Sequence, residues 1–478
     1  MEPDFTEKDK SSTRQRDRWD VIVIGGGVVG CAITRRFALA GAKTLLLERG
    51  KDILSGASKA NSAILHTGFD APPGSLELAC MQAGYREYLE IHKHMNLPVL
   101  KTGALVVAWN EEQLAQLDGI VDKAHENGIT DTVQISRNDL VKREPGLSNM
   151  ALGAVEVPRE YVIDPWSAPL AYLKQAVRAG ADYKFSTEVT SGEFDGEFWH
   201  LGTGRGQFSG RLVINCTGNN GDNIEQICRP PTFEIRPRKG QFLVYDKSAN
   251  ALINSIILPV PTSITKGVVL TKTVFGNLLL GPTAEEQADR NVARVDREML
   301  EGLIKSGNAM LPGLCEHAVT ATYAGLRPAT QFKDYQIDAE AGKNWIGVNG
   351  IRSTGLTASL GIAAHVERLG SETYPGLIAF KSGPVAEWPV MPMLAEHEKR
   401  AYQLGDGTEI VCHCEHVTRA EILAALEGEV PAGDLGGLRR RTRVMMGRCN
   451  GFYCSAKVAE LTRGKLAPPM ATDTEGQL

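Results

Sequence analysis

The segment WDVIVIGGGVVGCAITRRFALAGAKTLLLERG, residues 19–50, predicts a strand, a glycine-rich turn, a helix and a second strand. Its first strand is a continuous apolar run, which is typical of a parallel strand buried on both faces. Three glycines follow that strand with the spacing G-x-G-x-x-G: Gly25, Gly27 and Gly30. They permit a tight turn, the approach of a pyrophosphate, and close packing of the helix on the strand. Glu48 ends the second strand, where its carboxylate can accept both hydroxyls of an adenosine ribose, so the segment predicts a dinucleotide site.

Three later segments favour FAD over NAD as that dinucleotide. SGASKANSAILHTGFD, residues 55–70, is rich in small and hydroxyl side chains that suit a cofactor surface. GRLVINCTGNNGD, residues 210–222, is an apolar strand that ends in a polar turn. WIGVNGIRSTGLTASLGIAAHVERLG, residues 345–370, predicts a strand, a glycine-rich turn and a helix. From the first two segments, the residues that we expect against the cofactor are Ser58, Asn61, Ser62, Thr217 and Gly218.

The order of these segments resembles the FAD-dependent D-amino-acid-oxidase-like superfamily, in which a similar late segment closes over the flavin. The resemblance implies that Gly355, Leu356 and Thr357 lie beside the pyrimidine edge of the isoalloxazine. A helix that begins there would place its positive dipole end against the negative charge of the reduced flavin.

Residues 20–369 resemble, more closely, the glycerol-3-phosphate dehydrogenase and L-2-hydroxyglutarate dehydrogenase group of that superfamily. The motifs that carry the resemblance are SGASKANSAILHTGF, IRPRKGQFLVYD and YAGLRPAT. It implies that His66 accepts the hydroxyl proton of the substrate while hydride passes to the flavin, and that Arg327 binds an anionic group. Lys239 of the K-G segment is a third candidate catalytic residue. The alternatives are a structural histidine, an ion-paired arginine and a solvated lysine at a strand end.

Four of the nine cysteines form two pairs late in the chain, Cys412-x-Cys414 and Cys449-x4-Cys454. Four thiolates can hold a [2Fe–2S] cluster. Zinc is the alternative, although zinc motifs usually contain C-x2-C pairs. Residues 409–466 resemble the bacterioferritin-associated-ferredoxin-like [2Fe–2S] domain, which also occurs at the C-terminus of anaerobic-type glycerol-3-phosphate dehydrogenases. The five arginines between residues 439 and 448 are interpreted as a solvated basic face, which can also balance cluster charge or dock an acidic partner.

The overall composition excludes several classes of protein. Hydrophobic residues make up 42% and charged residues 23% of the 478 residues, as in an ordinary globular protein. The net charge of −5 gives no support to nucleic-acid binding. The first residues are charged and lack the apolar stretch of a secretion signal, so we expect a disordered tail over residues 1–17 and a cytoplasmic protein. Peripheral membrane association through a partner stays open.

These anchors predict an α/β protein in which an FAD-binding Rossmann-like domain is interleaved with an α+β substrate domain and followed by a small helical [2Fe–2S] domain. The predicted FAD-binding segments are residues 18–95, 155–222 and 320–375. The predicted substrate-domain segments are residues 96–154 and 223–319. A linker is expected over residues 376–408, and the [2Fe–2S]-binding domain over residues 409–478.

We therefore expect an FAD-dependent dehydrogenase for a small anionic alcohol of the glycerol 3-phosphate or 2-hydroxy acid class. Its electrons would pass through the cluster to a protein acceptor, companion subunits or a quinone-linked acceptor. Because a cluster is unnecessary when oxygen is the acceptor, oxidase activity should be low. The alternatives are an amine dehydrogenase for an opine, sarcosine or proline-like substrate, and a non-catalytic electron-transfer subunit.

Overall fold

The computed structural model describes most of the chain. The described residues are 18–261, 267–378, 386–405 and 409–471. The predicted tail, residues 1–17, lies outside them, as do parts of the predicted linker. Within the described residues, no helix is long and apolar enough to cross a membrane.

The described residues contain both strands and helices, with runs of consecutive strands over residues 182–215 and 236–286. The strands are β1 (Arg18–Ile24), β2 (Thr44–Leu47), β3 (Ile64–Leu65), β4 (Val99–Leu100), β5 (Ala104–Ala108), β6 (Val133–Ser136), β7 (Gly153–Val157), β8 (Tyr161–Ile163), β9 (Asp182–Lys184), β10 (Val189–Phe194), β11 (Trp199–Thr203), β12 (Gly206–Asn215), β13 (Arg236–Tyr245), β14 (Ile256–Pro259), β15 (Val269–Lys272), β16 (Leu278–Gly281), β17 (Glu285–Glu286), β18 (Val319–Ala329), β19 (Gln336–Glu340), β20 (Trp345–Asn349), β21 (Ile410–Cys412) and β22 (Val417–Thr418). The helices are α1 (Val28–Leu39), α2 (Leu76–Ile91), α3 (Glu111–Leu114), α4 (Leu117–Glu126), α5 (Arg137–Arg143), α6 (Ser167–Arg178), α7 (Gly221–Glu225), α8 (Arg297–Met310), α9 (Gly355–Thr373), α10 (Arg419–Ala425), α11 (Leu435–Thr442) and α12 (Ser455–Leu461).

The first sheet has the strand order β10-β11-β12-β1-β2-β9, with β20 beside β12 and β19 beside β20. Strands β9, β2, β1, β12 and β20 run parallel. Helices α1, α2, α6 and α9 contribute to one hydrophobic core with the strands, because their apolar faces need cover from water. The predicted Rossmann-like α/β fold is thereby confirmed.

The second sheet has the order β17-β13-β16-β15-β14-β5-β7-β6, with β18 alongside β13. Its strand pairs are antiparallel except for β5 with β14. Two predicted domain boundaries are wrong here, and the first is residue 155, which lies inside β7 of this sheet. The prediction begins the third FAD-binding segment at residue 320, but β18 pairs with β13 along its length and belongs to this second sheet. The first sheet resumes only at β19.

The cysteine-containing domain, described over residues 409–471, has its own small hydrophobic core, which includes Val417, Ile422 and Leu438. Helix α10 begins after a capping box in which Thr418 and Glu421 each accept from the other's backbone N–H. The described part of the predicted linker is not a free spacer. Leu394 is buried in a core shared with the second sheet, and Met391 bonds through its N–H to the carbonyl of Met95.

Candidate active site and cysteine centre

A cavity of about 530 Å³ lies at the carboxyl ends of β1, β2 and β12, where ligands bind in folds of this kind. Strands β13 and β18 of the second sheet contribute Gly240 and Arg327 to its opposite wall. The predicted cofactor residues on its surface are Gly25, Gly27, Glu48, Ser58, Asn61, Ser62, Thr217, Gly218, Gly355 and Leu356. Gly30, Thr357 and the candidate base His66 are not among the lining residues.

The glycine turn fits only glycine at two of its positions. Gly25 has φ +108°, and a Cβ there would lie 2.6 Å from the carbonyl oxygen of Cys216. A Cβ on Gly30 would lie 1.9 Å from the carbonyl oxygen of Gly25. Gly30 therefore supports the turn from behind and holds α1 against β1.

Glu48 braces the same turn from the end of β2. One carboxylate oxygen accepts from the N–H of Gly26 and the other from the N–H of Gly50, both at 2.6 Å. Burial raises the pKa of Glu48, while these two hydrogen bonds oppose that shift. Each oxygen retains lone pairs toward the cavity, as an acceptor of ribose hydroxyls requires.

The first turn of α1 supplies donors for phosphate. The N–H of Val28 donates to the hydroxyl of Ser58 at 3.1 Å. Those of Gly27 and Val29 have no acceptor in the described part of the chain, and both residues line the cavity. Backbone donors at a helix N-terminus suit a pyrophosphate, so this surface fits the diphosphate of FAD.

His66 is held by a carboxylate that sequence reasoning missed. Its Nδ1 lies 2.7 Å from Oε2 of Glu160, and the other oxygen of Glu160 accepts from the N–H and the hydroxyl of Thr67. The side chain of Glu160 is fully buried and that of His66 is 25% exposed. When the imidazole is neutral, a carboxylate that accepts from Nδ1 leaves the lone pair on Nε2, as a base at that nitrogen requires.

Thr357 contacts the backbone of this histidine. Its hydroxyl accepts from the N–H of His66 at 3.0 Å and donates to the carbonyl of Ile64. The side chain thus joins the start of α9 to β3, while the neighbouring Leu356 faces the cavity. Contact between the Thr357 side chain and a cofactor stays a prediction.

Arg327 stands in the cavity wall with its charge unmatched by a carboxylate. Its guanidinium donates to the carbonyls of Arg238, Lys239 and Thr283, and the described residues give it no acidic partner. Burial, with a contribution from Arg238, lowers the pKa of Arg327 to about 10, so it stays protonated at neutral pH. A partly buried arginine bonded only to carbonyls is suited to bind an anionic ligand.

Lys239 faces away from this arginine. Its ammonium group lies 3.0 Å from a carboxylate oxygen of Glu285 and is not among the cavity-lining groups. Because successive residues of a strand point to opposite faces, Gly240 lines the cavity and Lys239 does not. A catalytic role for Lys239 stays a prediction, and the alternative of a solvated lysine does not describe this side chain either, because it is ion-paired and 15% exposed.

The four predicted cluster cysteines come together in two pairs. Cys414 lies close enough to Cys449, and Cys454 close enough to Cys412, for each neighbour to shift the pKa of the thiol. Among the described residues, no three histidine, cysteine, aspartate or glutamate side chains have the geometry to hold a single metal ion. Two sulfur pairs suit a two-iron centre, in which each iron takes two thiolates.

The loop around these cysteines is shaped to present N–H groups to sulfur. Left-handed backbone conformations are uncommon in non-glycine residues and concentrate at functional sites. Four residues near the cysteines adopt them: His416, Arg443, Met445 and Asn450. The nearby N–H groups of Tyr453, Gly451 and Phe452 lower the pKa of the Cys449 thiol, and the N–H of Phe452 donates to the Cys449 carbonyl at 2.9 Å. The donor set therefore fits a cluster with thiolate ligands.

The cysteine domain is docked on the segment that follows Glu48. Arg441 of α11 pairs through two nitrogens with Asp52, at 2.7 and 2.8 Å, and the Asp52 side chain is fully buried. A Cβ on Gly437 would lie 1.7 Å from that carboxylate, so the approach is close. A solvated face is therefore the wrong interpretation for Arg441 and Arg443, because both are buried in contacts within the chain.

A second set of contacts runs from the cysteine domain toward the cavity. The guanidinium of Arg443 bonds to Glu415 and lies 4.1 Å from the centre of the Phe275 ring. That ring stacks on Trp166, with ring centres 5.4 Å apart. Trp166 in turn donates to the carbonyl of Lys59, which lines the cavity.

Comparison with known proteins agrees with this arrangement. A family described as FAD dependent oxidoreductase matches residues 20–369, and one described as BFD-like [2Fe-2S] binding domain matches residues 410–463. A glycerol 3-phosphate dehydrogenase of Caloramator mitchellensis is 30% identical over 95% of both chains. The anaerobic glycerol-3-phosphate dehydrogenase of Escherichia coli (strain K12) has a subunit that is 28% identical, over 94% of this chain and 89% of that protein.

A solved structure gives the same result for the fold. Dithionite-reduced L-α-glycerophosphate oxidase from Mycoplasma pneumoniae, with FAD bound, superposes with a TM-score of 0.72 at 25% identity. The alignment covers 79% of this chain and all of that one. Since the flavoenzyme match spans most of the chain and the ferredoxin-like match follows it, the protein belongs to the FAD-dependent oxidoreductase family and carries a BFD-like [2Fe–2S] binding domain.

Proposed function

We propose that the protein oxidises glycerol 3-phosphate to dihydroxyacetone phosphate and passes the electrons through its [2Fe–2S] centre to a protein acceptor. The observation that carries this proposal is Arg327, a cation in the wall of the dinucleotide cavity that is bonded only to carbonyls. A phosphate monoester offers the oxygens that such a guanidinium binds. The names of the two relatives that span nearly the whole chain support the same substrate.

The chain's own residues divide the work in this proposal. The cavity would hold FAD, which would supply the acceptor for a hydride from the carbinol carbon. Arg327 binds the phosphate and so orients the carbinol, which reduces the freedom that the reacting groups must lose. Nε2 of His66 accepts the hydroxyl proton, because Glu160 holds the hydrogen on Nδ1.

The ferredoxin-like domain supports dehydrogenase over oxidase activity. The alignment with the oxidase structure covers that whole protein but 79% of this chain. The alignments with the two dehydrogenases cover 94% or more of this chain. A cluster that carries single electrons is useful for a protein acceptor and is unnecessary for direct reaction with oxygen. We propose companion subunits or a quinone-linked complex as the acceptor, and a cytoplasmic setting in which the nine unpaired cysteines stay reduced.

An anaerobic substrate panel tests the assignment. Glycerol 3-phosphate, L-2-hydroxyglutarate, sarcosine and proline are added separately to the full-length holoenzyme, and the visible flavin absorption is followed. We expect glycerol 3-phosphate to bleach the flavin within the turnover time. Bleaching by sarcosine or proline instead would establish an amine dehydrogenase. If no metabolite bleaches the flavin while a partner protein reduces it, the chain is an electron-transfer subunit.

A further inference from the structure

The segment between β17 and α8 leaves the second sheet and returns to it. Residues 287–296, here called the strap, are attached to β13 at both ends. At one end the N–H of Gln287 donates to the carbonyl of Pro237 at 3.1 Å. At the other end the N–H of Asp296 donates to the side-chain oxygen of Gln241 at 2.6 Å. Because both ends are bonded to one strand, the middle of the strap projects from that strand as a loop.

The middle of the strap contacts the first sheet's domain at two places. Arg290 pairs through two nitrogens with the two carboxylate oxygens of Asp222, and it donates to the carbonyl of Asn219 at 3.1 Å. The side chain of Asn291 accepts from the guanidinium of Arg49 at 2.8 Å. The Arg290 side chain is 22% exposed and that of Asp222 is 8% exposed, so the ion pair is shielded from water. The strap is thus held across the two domains by one shielded ion pair and one exposed hydrogen bond.

These two contacts lie on either side of the glycine turn. Strand β1 pairs in parallel with β2 on one side and with β12 on the other. Arg49 lies just beyond the end of β2, and Asn219 lies beyond the end of β12. Arg290, Asn291 and Ala293 of the strap line the same cavity as the glycine turn. The strap therefore spans the carboxyl edge of these three strands and closes one side of the dinucleotide cavity.

The charge of Arg290 is already matched within the chain. Hydrogen bonding to the Asp222 carboxylate raises the pKa of Arg290. Arg327, in the same cavity wall, differs because it donates only to carbonyls. An arginine whose planar fork is matched by a carboxylate is suited to fasten two segments together, whereas an arginine without a carboxylate partner is suited to bind a ligand anion.

We propose that the strap retains FAD, and that the Arg290–Asp222 pair is the latch that keeps it closed over the bound cofactor. Since the ends of the strap are fixed on β13, its middle can lift from the first sheet only when this pair separates. FAD therefore enters and leaves when the latch opens, as substrates do in enzymes with closing loops.

The test measures FAD release from the full-length oxidised holoenzyme. An excess of 5-deaza-FAD is added, and the FAD that is still bound is quantified by chromatography after desalting at successive times. Arg290→Met and Asp222→Asn each remove one half of the latch. Arg294→Met is the matched control, because Arg294 is an exposed arginine of the same strap and is not among the cavity-lining residues.

We expect Arg290→Met and Asp222→Asn to release FAD at least tenfold faster than wild type, because each leaves a shielded charge or its partner unpaired. Arg294→Met should match wild type. Asn291→Ala keeps the latch and removes only the exposed hydrogen bond, so its release rate should rise about threefold. As a structural readout, amide hydrogen exchange of peptide 287–296 should be faster in both latch variants while FAD is bound.

Three outcomes would overturn the latch. The first is a wild-type release rate in Arg290→Met, including a variant whose apo and holo forms both melt earlier, since the pair would then be structural only. The second is faster release in Arg290→Met with slower release in Asp222→Asn, because Arg290 would then bind the FAD phosphates directly. The third, which decides the matter if Arg290→Met fails to fold, is a wild-type release rate in Asn291→Ala. No substrate is added, so the result is independent of the glycerol 3-phosphate assignment.

Discussion

At the scale of single residues, the proposed mechanism makes Glu160 a positioning residue for His66. Its carboxylate contacts the histidine ring at 2.7 Å and would act on the substrate only through that ring. We expect Glu160→Gln to lower kcat at least tenfold, as part of the ~10²–10⁴-fold contribution of a positioned base. The variant amide can donate to Nδ1 and so stabilise the wrong tautomer.

The pH profile distinguishes this role from a structural one. In Glu160→Gln the acidic limb of kcat/KM should move, while FAD content and the thermal midpoint stay close to wild type. Glu160→Asp should restore part of the activity, because it restores an acceptor. A variant Glu160→Gln with wild-type kcat and pH profile would contradict the account.

Arg327 determines substrate affinity in the same account. We expect Arg327→Met to raise KM for glycerol 3-phosphate roughly 30-fold or more, because loss of a charged hydrogen-bonding partner costs on the order of 2–5 kcal/mol. Since burial lowers the pKa of Arg327 to about 10, its charge is present below that pH and lost above it. Titration of Arg327 should therefore leave the wild-type KM unchanged between pH 7 and about 9, and it should raise KM above about pH 10. A wild-type KM in the Arg327→Met variant, measured by steady-state kinetics, would contradict this role.

Residue spacing predicted part of this site and could not predict the rest. Gly25, Gly30 and Glu48 fall within one local strand–turn–helix–strand unit, so their geometry follows from spacing. Glu160 reaches His66 through the pairing of β3 with β8, which joins residues 94 positions apart. Neither segment alone indicates that register.

At the scale of elements, α11 fastens the cysteine domain to the flavin domain through Asp52. Asp52→Asn leaves the Arg441 charge buried without its counterion, which costs on the order of 3–5 kcal/mol. We expect the cysteine domain to melt before the flavin domain in this variant and protease to cut between residues 386 and 409.

A surface ion pair provides the matched control for that change. Glu427 pairs with Lys465 at 3.0 Å within the cysteine domain, and its side chain is 65% exposed. Glu427→Gln should change stability by less than about 1 kcal/mol. Equal effects of the two substitutions in differential scanning calorimetry would contradict the docking role of Asp52.

The sequence predicts individual helices and strands better than it predicts the segments against which they pack. The capping box before α10 is a local pattern, and the structure contains it. A solvated face is the natural interpretation of the arginines of α11, because charged residues usually lie in water. Their burial depends on Asp52, nearly four hundred residues earlier, and on tertiary packing that local sequence does not encode. The same limit explains β18, whose place beside β13 depends on a long-range pairing.

At the scale of the whole molecule, the two cofactor centres should be separable by mutation. Cys449→Ser removes a proposed cluster ligand without touching the dinucleotide cavity. We expect this variant to keep substrate-dependent flavin bleaching and to lose at least nine-tenths of its turnover with a protein acceptor. Cys315→Ser, at an exposed cysteine outside the cysteine domain, is the control and should behave as wild type. Loss of bleaching in properly folded Cys449→Ser would contradict separate roles.

The central claim is that electrons from a small anionic alcohol reach the [2Fe–2S] centre through the flavin of the same chain. The most direct measurement is anaerobic addition of glycerol 3-phosphate to the oxidised holoenzyme, followed by optical and EPR spectra at successive times. The account predicts flavin bleaching first and then the EPR signal of a reduced [2Fe–2S] centre, with no other reductant present. A bleached flavin beside a cluster that stays oxidised, or rapid stoichiometric hydrogen peroxide when air is admitted, would contradict it.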